Sequence, residues 1–343
     1  MSKTDLRDLT LDELKLAVEE LGEKPFRAKQ IFSWLHQKGA ESFEEFKNIP
    51  QALREKIGEK YYISKLDIVE KLVSKDGTVK YLFDIGDGIL IESVLMKYSY
   101  GCALCISTQA GCRMGCKFCA STLDGLERNL SASEILNQVY TIKKDSGENI
   151  HSIVLMGSGE PLDNFENVVK FLYIINHPEG MGLGMRHITL STCGLTEKIE
   201  ELSKLKLQLT LAISLHAPND DIRKKTMPVA NKYPLESIVK AAVNYSKATG
   251  RRVTYEYALI KGVNDSKENA LELSARLKGT LCHVNLIPVN DVKENDFIRA
   301  EERNIQEFAS VLTQKGIETT VRRKLGSDIN AACGQLRKKY KRC

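Results

Sequence analysis

The sequence predicts an α/β protein: a partial (β/α)6 barrel with a small helical N-terminal domain and an extra β segment. Three observations carry this. From Gly101 onward, strand-like and helix-like segments alternate six times; residues 1–60 show only helical apolar spacing; and residues 61–97 hold three strand-like runs separated by turn residues. Six β-α units imply a parallel sheet with helices outside it. Eight would close a full barrel, so six leave one side open. An open doubly wound sheet gives the same alternation, and periodicity alone does not separate the two.

Taken in order, LTLDELKLAVEELG ends on a Gly stop, and KPFRAKQIFSWLHQKG has Pro25 near its start, as helices do. LDIVEKLVS, TVKYLFDIG and ILIESVLMK are strand-like, with Asp76-Gly77 and Gly86-Asp87-Gly88 between them as hairpin chemistry. In the alternating region the strand-like runs are CALCIST, HSIVLM, RHITLSTCG, LQLTLAISLH, RRVTYEYALI and CHVNLIPV. Ser131 with Glu134 forms a capping box for the first helix, Pro234 suits a first helical turn, and Gly250 and Gly316 suit helix ends. The expected domains are therefore 1–60 helical, 61–97 antiparallel β connector, 98–320 barrel core and 321–343 C-terminal tail.

With 343 residues, 42% hydrophobic and 28% charged, the chain can bury a full core. No apolar run reaches membrane-spanning length, and the start, MSKTDLRDLTLDELK, is charged where a secretion leader needs an apolar stretch. A cytoplasmic protein without membrane contact is the expectation. In that reducing compartment nine cysteines, five of them between Cys102 and Cys119, point to metal or redox chemistry before disulfides. Cys102, Cys193 and Cys282 read as small buried hydrophobes, and nothing is assigned to Cys343. Charge is uneven: residues 321–343 hold eight basic residues against Asp328, a net +7, which leaves −2 for the rest of a +5 chain. Such a tail is either a solvated terminus or a phosphate-binding segment for nucleic acid.

The sharpest motif is Cys112-Arg-Met-Gly-Cys116-Lys-Phe-Cys119, placed after the first strand of the alternating series. Three closely spaced thiolates can each take one iron of a cubane and leave the fourth iron open. Zinc competes, although structural zinc wants four ligands, for which Cys105 is at hand. The segments MGSGEP, STCG, SLHAPND and IPVN follow the second, third, fourth and sixth strands, so all lie on the carboxyl-end face where barrel loops converge.

The C-x3-C-x2-C run with Phe118 before its last Cys is the radical S-adenosylmethionine (SAM) signature, and the chain resembles the RlmN/Cfr family, on its RlmN side. GEKPFRAKQI, CISTQAGC, MGSGEP, ITLSTCG, ISLHAPND, HVNLIPVN and AACGQL carry the resemblance nearly end to end. It implies a [4Fe–4S] cluster on Cys112, Cys116 and Cys119. It implies SAM contacts from Gly159, Glu160, Ser191, Ser214, Leu215, His216 and Asn290. The implied reaction methylates C2 of adenosine in 23S rRNA and in tRNA and uses two SAM per turnover. Cys333 carries the methyl, Cys105 assists loss of the ring proton and closes a transient disulfide with Cys333, and Glu92 matches a proton acceptor. A flavodoxin or ferredoxin would supply electrons to a monomer. Adenine C2 lies between two ring nitrogens and is electron-poor, so a thiolate that first accepts the methyl makes chemical sense.

Ser158 and Asn330 depart from common forms of their motifs, where relatives have Met and Asp; a change of packing beside SAM and a lost charge near Cys333 are the expected consequences. A Cfr-type enzyme acting at C8 is the alternative within the family, and a non-enzymatic Fe–S RNA-binding protein the alternative outside it.

Overall fold

A computed structural model describes residues 3–86, 88–289, 297–323 and 325–329. Asn290, Lys324, Asn330, Cys333, Cys343 and the basic residues from Arg337 onward lie outside the described residues.

Ten strands form one sheet: β1 (Asp67–Val73), β2 (Val79–Asp84), β3 (Leu90–Tyr98), β4 (Gly101–Cys105), β5 (Ile150–Leu155), β6 (Ile188–Thr192), β7 (Thr210–Ser214), β8 (Val253–Leu259), β9 (Cys282–Pro288) and β10 (Glu318–Val321). They stand side by side in chain order. β1 to β4 pair antiparallel, and β4 to β10 pair parallel. This order answers the question periodicity left open. A doubly wound sheet reverses strand order and places helices on both faces, whereas sequential right-handed crossovers place every helix on one face and curl the sheet. The ends β1 and β10 do not pair, so the barrel is open, as expected.

The crossover helices are α4 (Ala132–Ser146), α5 (Phe165–Asn176), α6 (Thr196–Lys204), α7 (Asp220–Thr226), α8 (Leu235–Thr249), α9 (Lys267–Leu277) and α10 (Glu302–Gln314), after α1 (Leu11–Glu20), α2 (Phe26–His36) and α3 (Gln51–Lys60). The Ser131–Glu134 capping box starts α4, and Gly250, at φ 68°, ends α8 in the left-handed conformation. The short α7 and the edge strand β10 were not anticipated, and the expected CALCIST strand stops at Cys105. Gln109–Gly111 instead pairs with Leu126–Asn129 in a separate ribbon that carries the cysteine loop.

Strand alternation separates two faces. Leu104, Ile153, Leu190, Leu211, Tyr255 and Val284 are buried in the main core beneath the helices. On the opposite, concave face the neighbouring positions are Cys105, Ser191, Ser214, Glu256 and Ile287.

The N-terminal helices are tied on by Arg7, which is 2% exposed. Its guanidinium donates to Ala40 O at 2.8 Å, Ser64 O at 2.7 Å and Asn137 Oδ1 of α4 at 2.6 Å. At the other end, the chain leaves β10, whose edge it extends through Arg322 N to Leu286 O, and comes to rest on the β1–β2 turn. There Asp328 accepts from Ser74 Oγ and Lys75 N, and Gly326 N donates to Asp76. Arg322 thus rests on one open edge of the sheet, and Gly326 and Asp328 on the other.

Candidate active site

A cavity of about 310 Å³ lies against the carboxyl ends of β5 to β9. Cys112, Cys116 and Cys119 all line it. Their loop is held by backbone contacts: Cys112 N donates to Gly125 O, Cys119 N to Cys116 O, and Lys117 N to Thr226 O at the end of α7. Thr122 Oγ1 donates to the carbonyls of Cys116 and Cys119. Gly111, at φ 80°, opens the loop where a Cβ would overlap Gly125 O. Burial pushes the Cys112 thiol up to about 12 and raises Cys116 and Cys119 too, so the thiols here need a bound cation to ionise.

MGSGEP turns against the strand that precedes the cysteine loop. A Cβ on Gly157 would stand 2.5 Å from Ile106 O, and one on Gly159 2.6 Å from Gln109 Cβ, so only glycine allows this approach. Glu160 is buried, with its carboxylate accepting from Leu162 N at 3.0 Å and Cys193 N at 2.7 Å. Burial raises its pKa and those hydrogen bonds oppose the rise. The departure at Ser158 has a structural role: its hydroxyl donates to Gly111 O at the head of the loop.

Ser191 and Ser214 line the cavity at the ends of β6 and β7. Leu215 is fully buried in the main core, with its N–H donating to Glu256 O. His216 takes φ 56°, unusual without glycine, and is secured where Ala258 N donates to its Nδ1 at 2.8 Å and Asn264 Nδ2 to its carbonyl. That bond makes Nδ1 the acceptor and Nε2 the protonated nitrogen. Burial lowers the imidazole pKa to about 3 and keeps it neutral. Phe118 packs edge-on against the ring.

Cys105 lies on the same concave face, packed with Val94, Met96, Met156 and Leu325. Val94 is its cross-strand partner, and Glu92, two residues back along β3, forms a 2.9 Å ion pair with Lys80. Met156 joins this cluster to the cavity, which it also lines.

Sequence reasoning missed Glu256 and Arg223, and placed Arg322 only among the basic residues of the tail. Glu256 is buried on the cavity wall, its carboxylate accepting from Asn285 Nδ2, and Arg322 lines the mouth. Their signal was available only in part: Glu256 shares strand parity with Thr254 and Ala258, the small and polar face of β8. Cys193, read as a core hydrophobe, is buried as expected but also lines the cavity and lends its backbone to Glu160.

A cubane spreads its thiolates over separate irons, whereas one metal ion draws its ligands together. The three thiols share a cavity wall and come from eight residues of one loop. The donor set therefore fits a cluster. Among the described residues no helix is long and apolar enough to cross a membrane.

Residues 106–274 match the Radical SAM superfamily and residues 4–63 the Ribosomal RNA large subunit methyltransferase N-terminal domain. The chain is 55% identical to a probable dual-specificity RNA methyltransferase RlmN of Clostridium novyi (strain NT), over 98% of each chain. It is 56% identical to the protein of the same description in Clostridium perfringens (strain SM101 / Type A), over 98% of this chain and 97% of that one. The crystal structure of a radical SAM methyltransferase from Sphaerobacter thermophilus superposes with a TM-score of 0.92 at 42% identity, covering 97% of this chain and 98% of that one.

Proposed function

This chain belongs to the RlmN family of radical SAM RNA methyltransferases, and from that premise we propose that it methylates C2 of adenosine in 23S rRNA, at the peptidyl transferase centre, and in tRNA anticodon loops. The observation that carries the reading is one cavity lined by Cys112, Cys116, Cys119, Gly159, Glu160, Ser191, Ser214 and His216, with Cys105 and Glu92 on the adjoining concave face. A [4Fe–4S] cluster on the three cysteines, with SAM on its open iron, would supply the one-electron chemistry that cleaves SAM.

The chain's own residues do the rest. Gly159 lets its turn close against Gln109, beside the SAM site, and Glu160, fixed by two backbone N–H groups, faces the SAM amino group. Ser191, Ser214 and the backbone around Leu215 receive the ribose and carboxylate, and the neutral His216 offers a donor at Nε2. Asn290 completes the adenine contacts. Cys333 accepts a methyl from one SAM and presents it to the ring carbon after activation by a second. Cys105 then helps remove the ring proton and closes a disulfide as product leaves, with Glu92 as proton acceptor. The protein acts as a cytoplasmic monomer, with electrons from a flavodoxin or ferredoxin.

The test is anaerobic reconstitution, reaction with 23S rRNA fragments and tRNA, and mass analysis of the adenosines. We expect 2-methyladenosine, lost in Cys333→Ala. Exclusive 8-methyladenosine would move the chain to the Cfr-type reaction, and RNA binding without SAM cleavage would refute the enzymatic site.

A further inference from the structure

Below the cavity floor lies a cation that the proposed reaction has not used. Arg223, in α7, is 0% exposed. Its donors go to four carbonyls: Nε to Leu215 O at 3.2 Å, Nη1 to Tyr233 O at 3.1 Å, and Nη2 to Cys193 O at 2.6 Å and Ser214 O at 3.5 Å. Carbonyls satisfy the N–H groups but leave the charge unneutralised, and a desolvated cation without a counterion costs several kcal/mol. No carboxylate among the described residues lies within ion-pair distance of it.

The surroundings of Arg223 supply the missing anion. Two of its carbonyl partners, those of Cys193 and Ser214, belong to residues that line the cavity. Three residues on, Thr226 O receives Lys117 N from between the cysteines, and Met227 and Cys116 share the cavity wall. Burial lowers the pKa of the guanidinium, and the groups near enough to oppose that are the sulfurs of Cys193 and Cys116, once ionised, with Asp220 behind them. The buried Glu160 adds a further carboxyl on the same floor.

We propose that Arg223 is the built-in counter-charge of the iron–sulfur site, a positioning residue that favours the one-electron-reduced cluster. The inference rests on the cluster reading above. A [4Fe–4S] core of charge 2+ with three thiolates carries −1, and one electron from a low-potential donor takes it to −2 with no bond made or broken. A fixed buried cation stabilises the second state more than the first, because the low-dielectric interior screens little. The guanidinium keeps its proton throughout, so the effect is electrostatic. Its four carbonyl bonds hold the charge in place while SAM comes and goes.

The experiment compares wild type, Arg223→Lys and Arg223→Gln after anaerobic reconstitution, first by iron and sulfide content, then by an EPR-monitored redox titration with dithionite. We expect four irons in each, and in Arg223→Gln about tenfold less reduced cluster at a fixed poise, equivalent to a midpoint about 59 mV more negative. Arg223→Lys, which keeps the charge and loses the fork, should shift less than half as far. Equal midpoints in wild type and Arg223→Gln overturn the proposal, as do equal shifts in both variants, which would mark a purely structural role. Should Arg223→Gln not fold, Arg223→citrulline keeps Nε–H and one NH2 group, puts an oxygen in place of the other, and removes the charge at nearly unchanged shape: a negative shift upholds the proposal and an unchanged midpoint overturns it. If the wild type itself takes up no four-iron cluster, the cofactor reading fails and not merely the role of Arg223.

Discussion

At the seam between the N-terminal helices and α4, Arg7 is buried among carbonyls and Asn137, with the Tyr140 ring beneath it and Asp5, Glu41 and Glu45 as its negative surroundings. On the cavity floor, Arg223 is buried as deeply and also donates to carbonyls, but the sulfurs of Cys193 and Cys116 stand ahead of the one carboxylate, Asp220, where Arg7 has three. Burial lowers the pKa of both. The difference is what neutralises each charge. The seam draws its negative surroundings from carboxylates of the protein itself and serves to join two parts of the chain, whereas the floor, on the proposal above, draws them from an anionic group in the cavity. Buried polarity of the same kind thus reports architecture in one region and chemistry in the other.

The largest effect that would break this comparison is on stability. Arg7→Met strands the carbonyls of Ala40 and Ser64 and the Asn137 amide, and should cost roughly 3 kcal/mol, about 1 or more for each buried group left unpaired. Urea denaturation reads the loss. The reconstituted variant should keep the wild-type cluster midpoint; a midpoint that moves with Arg7 would show that the two arginines do not divide as described.

Neither arginine was legible in the sequence. LRDL and DIRKK carry no local sign of burial, and nothing local shows that Leu215, Tyr233 and Cys193 will turn their carbonyls toward residue 223. Lys80 in TVKYLF was hidden differently: strand alternation places it on the polar face, but that face is concave and closed over, so it is fully buried beside Glu92. The short strand β10, ETTV, carries two Thr and no long apolar run, so its local strand signal is weak. The cysteine loop, the glycines of MGSGEP and the helical crossovers were readable because each depends on a few consecutive residues. What the sequence could not show are contacts that converge from separate strands.

A second, smaller effect concerns pH and tests whether the seam is as sealed as it looks. His36 is buried, Nδ1 against Tyr140 OH at 2.9 Å, and burial lowers its pKa to about 3 from the ordinary 6.5. Between those values the unfolded chain binds a proton that the folded chain does not, so stability rises with pH in that window. It is fully present above pH 6.5 and lost as pH falls, by about 1.4 kcal/mol per unit or roughly 2 kcal/mol from pH 6.5 to 5. His216 contributes the same sign from the cavity. His36→Gln should flatten the plot of unfolding free energy against pH by one proton's worth. Superimposable slopes for wild type and variant would mean that water reaches the seam.

The smallest expected effect lies where the C-terminal segment rests on the β1–β2 turn. Ser74 Oγ donates to Asp328 at 2.5 Å and Gly326 N to Asp76 at 2.8 Å, while Leu325 packs on the Cys105 cluster. These bonds hold both carboxylates below their usual pKa, Asp76 chiefly through Gly326 and Asp328 chiefly through Ser74. They are part-buried bonds at the margin of the sheet, so Ser74→Ala should change global stability by about 1 kcal/mol at most. Their consequence is local. Arg322, Arg323 and Leu325–Ile329 form a strap with few other ties among the described residues, and local opening free energies follow the contacts of the segment that opens rather than those of the whole fold. Amide exchange across Leu325–Ile329 should therefore quicken several-fold in Ser74→Ala, while exchange in β4 to β9 stays at the wild-type rate. Uniform acceleration throughout the sheet would show that the strap is part of the cooperative core, and unchanged exchange would show that Leu325 alone anchors it.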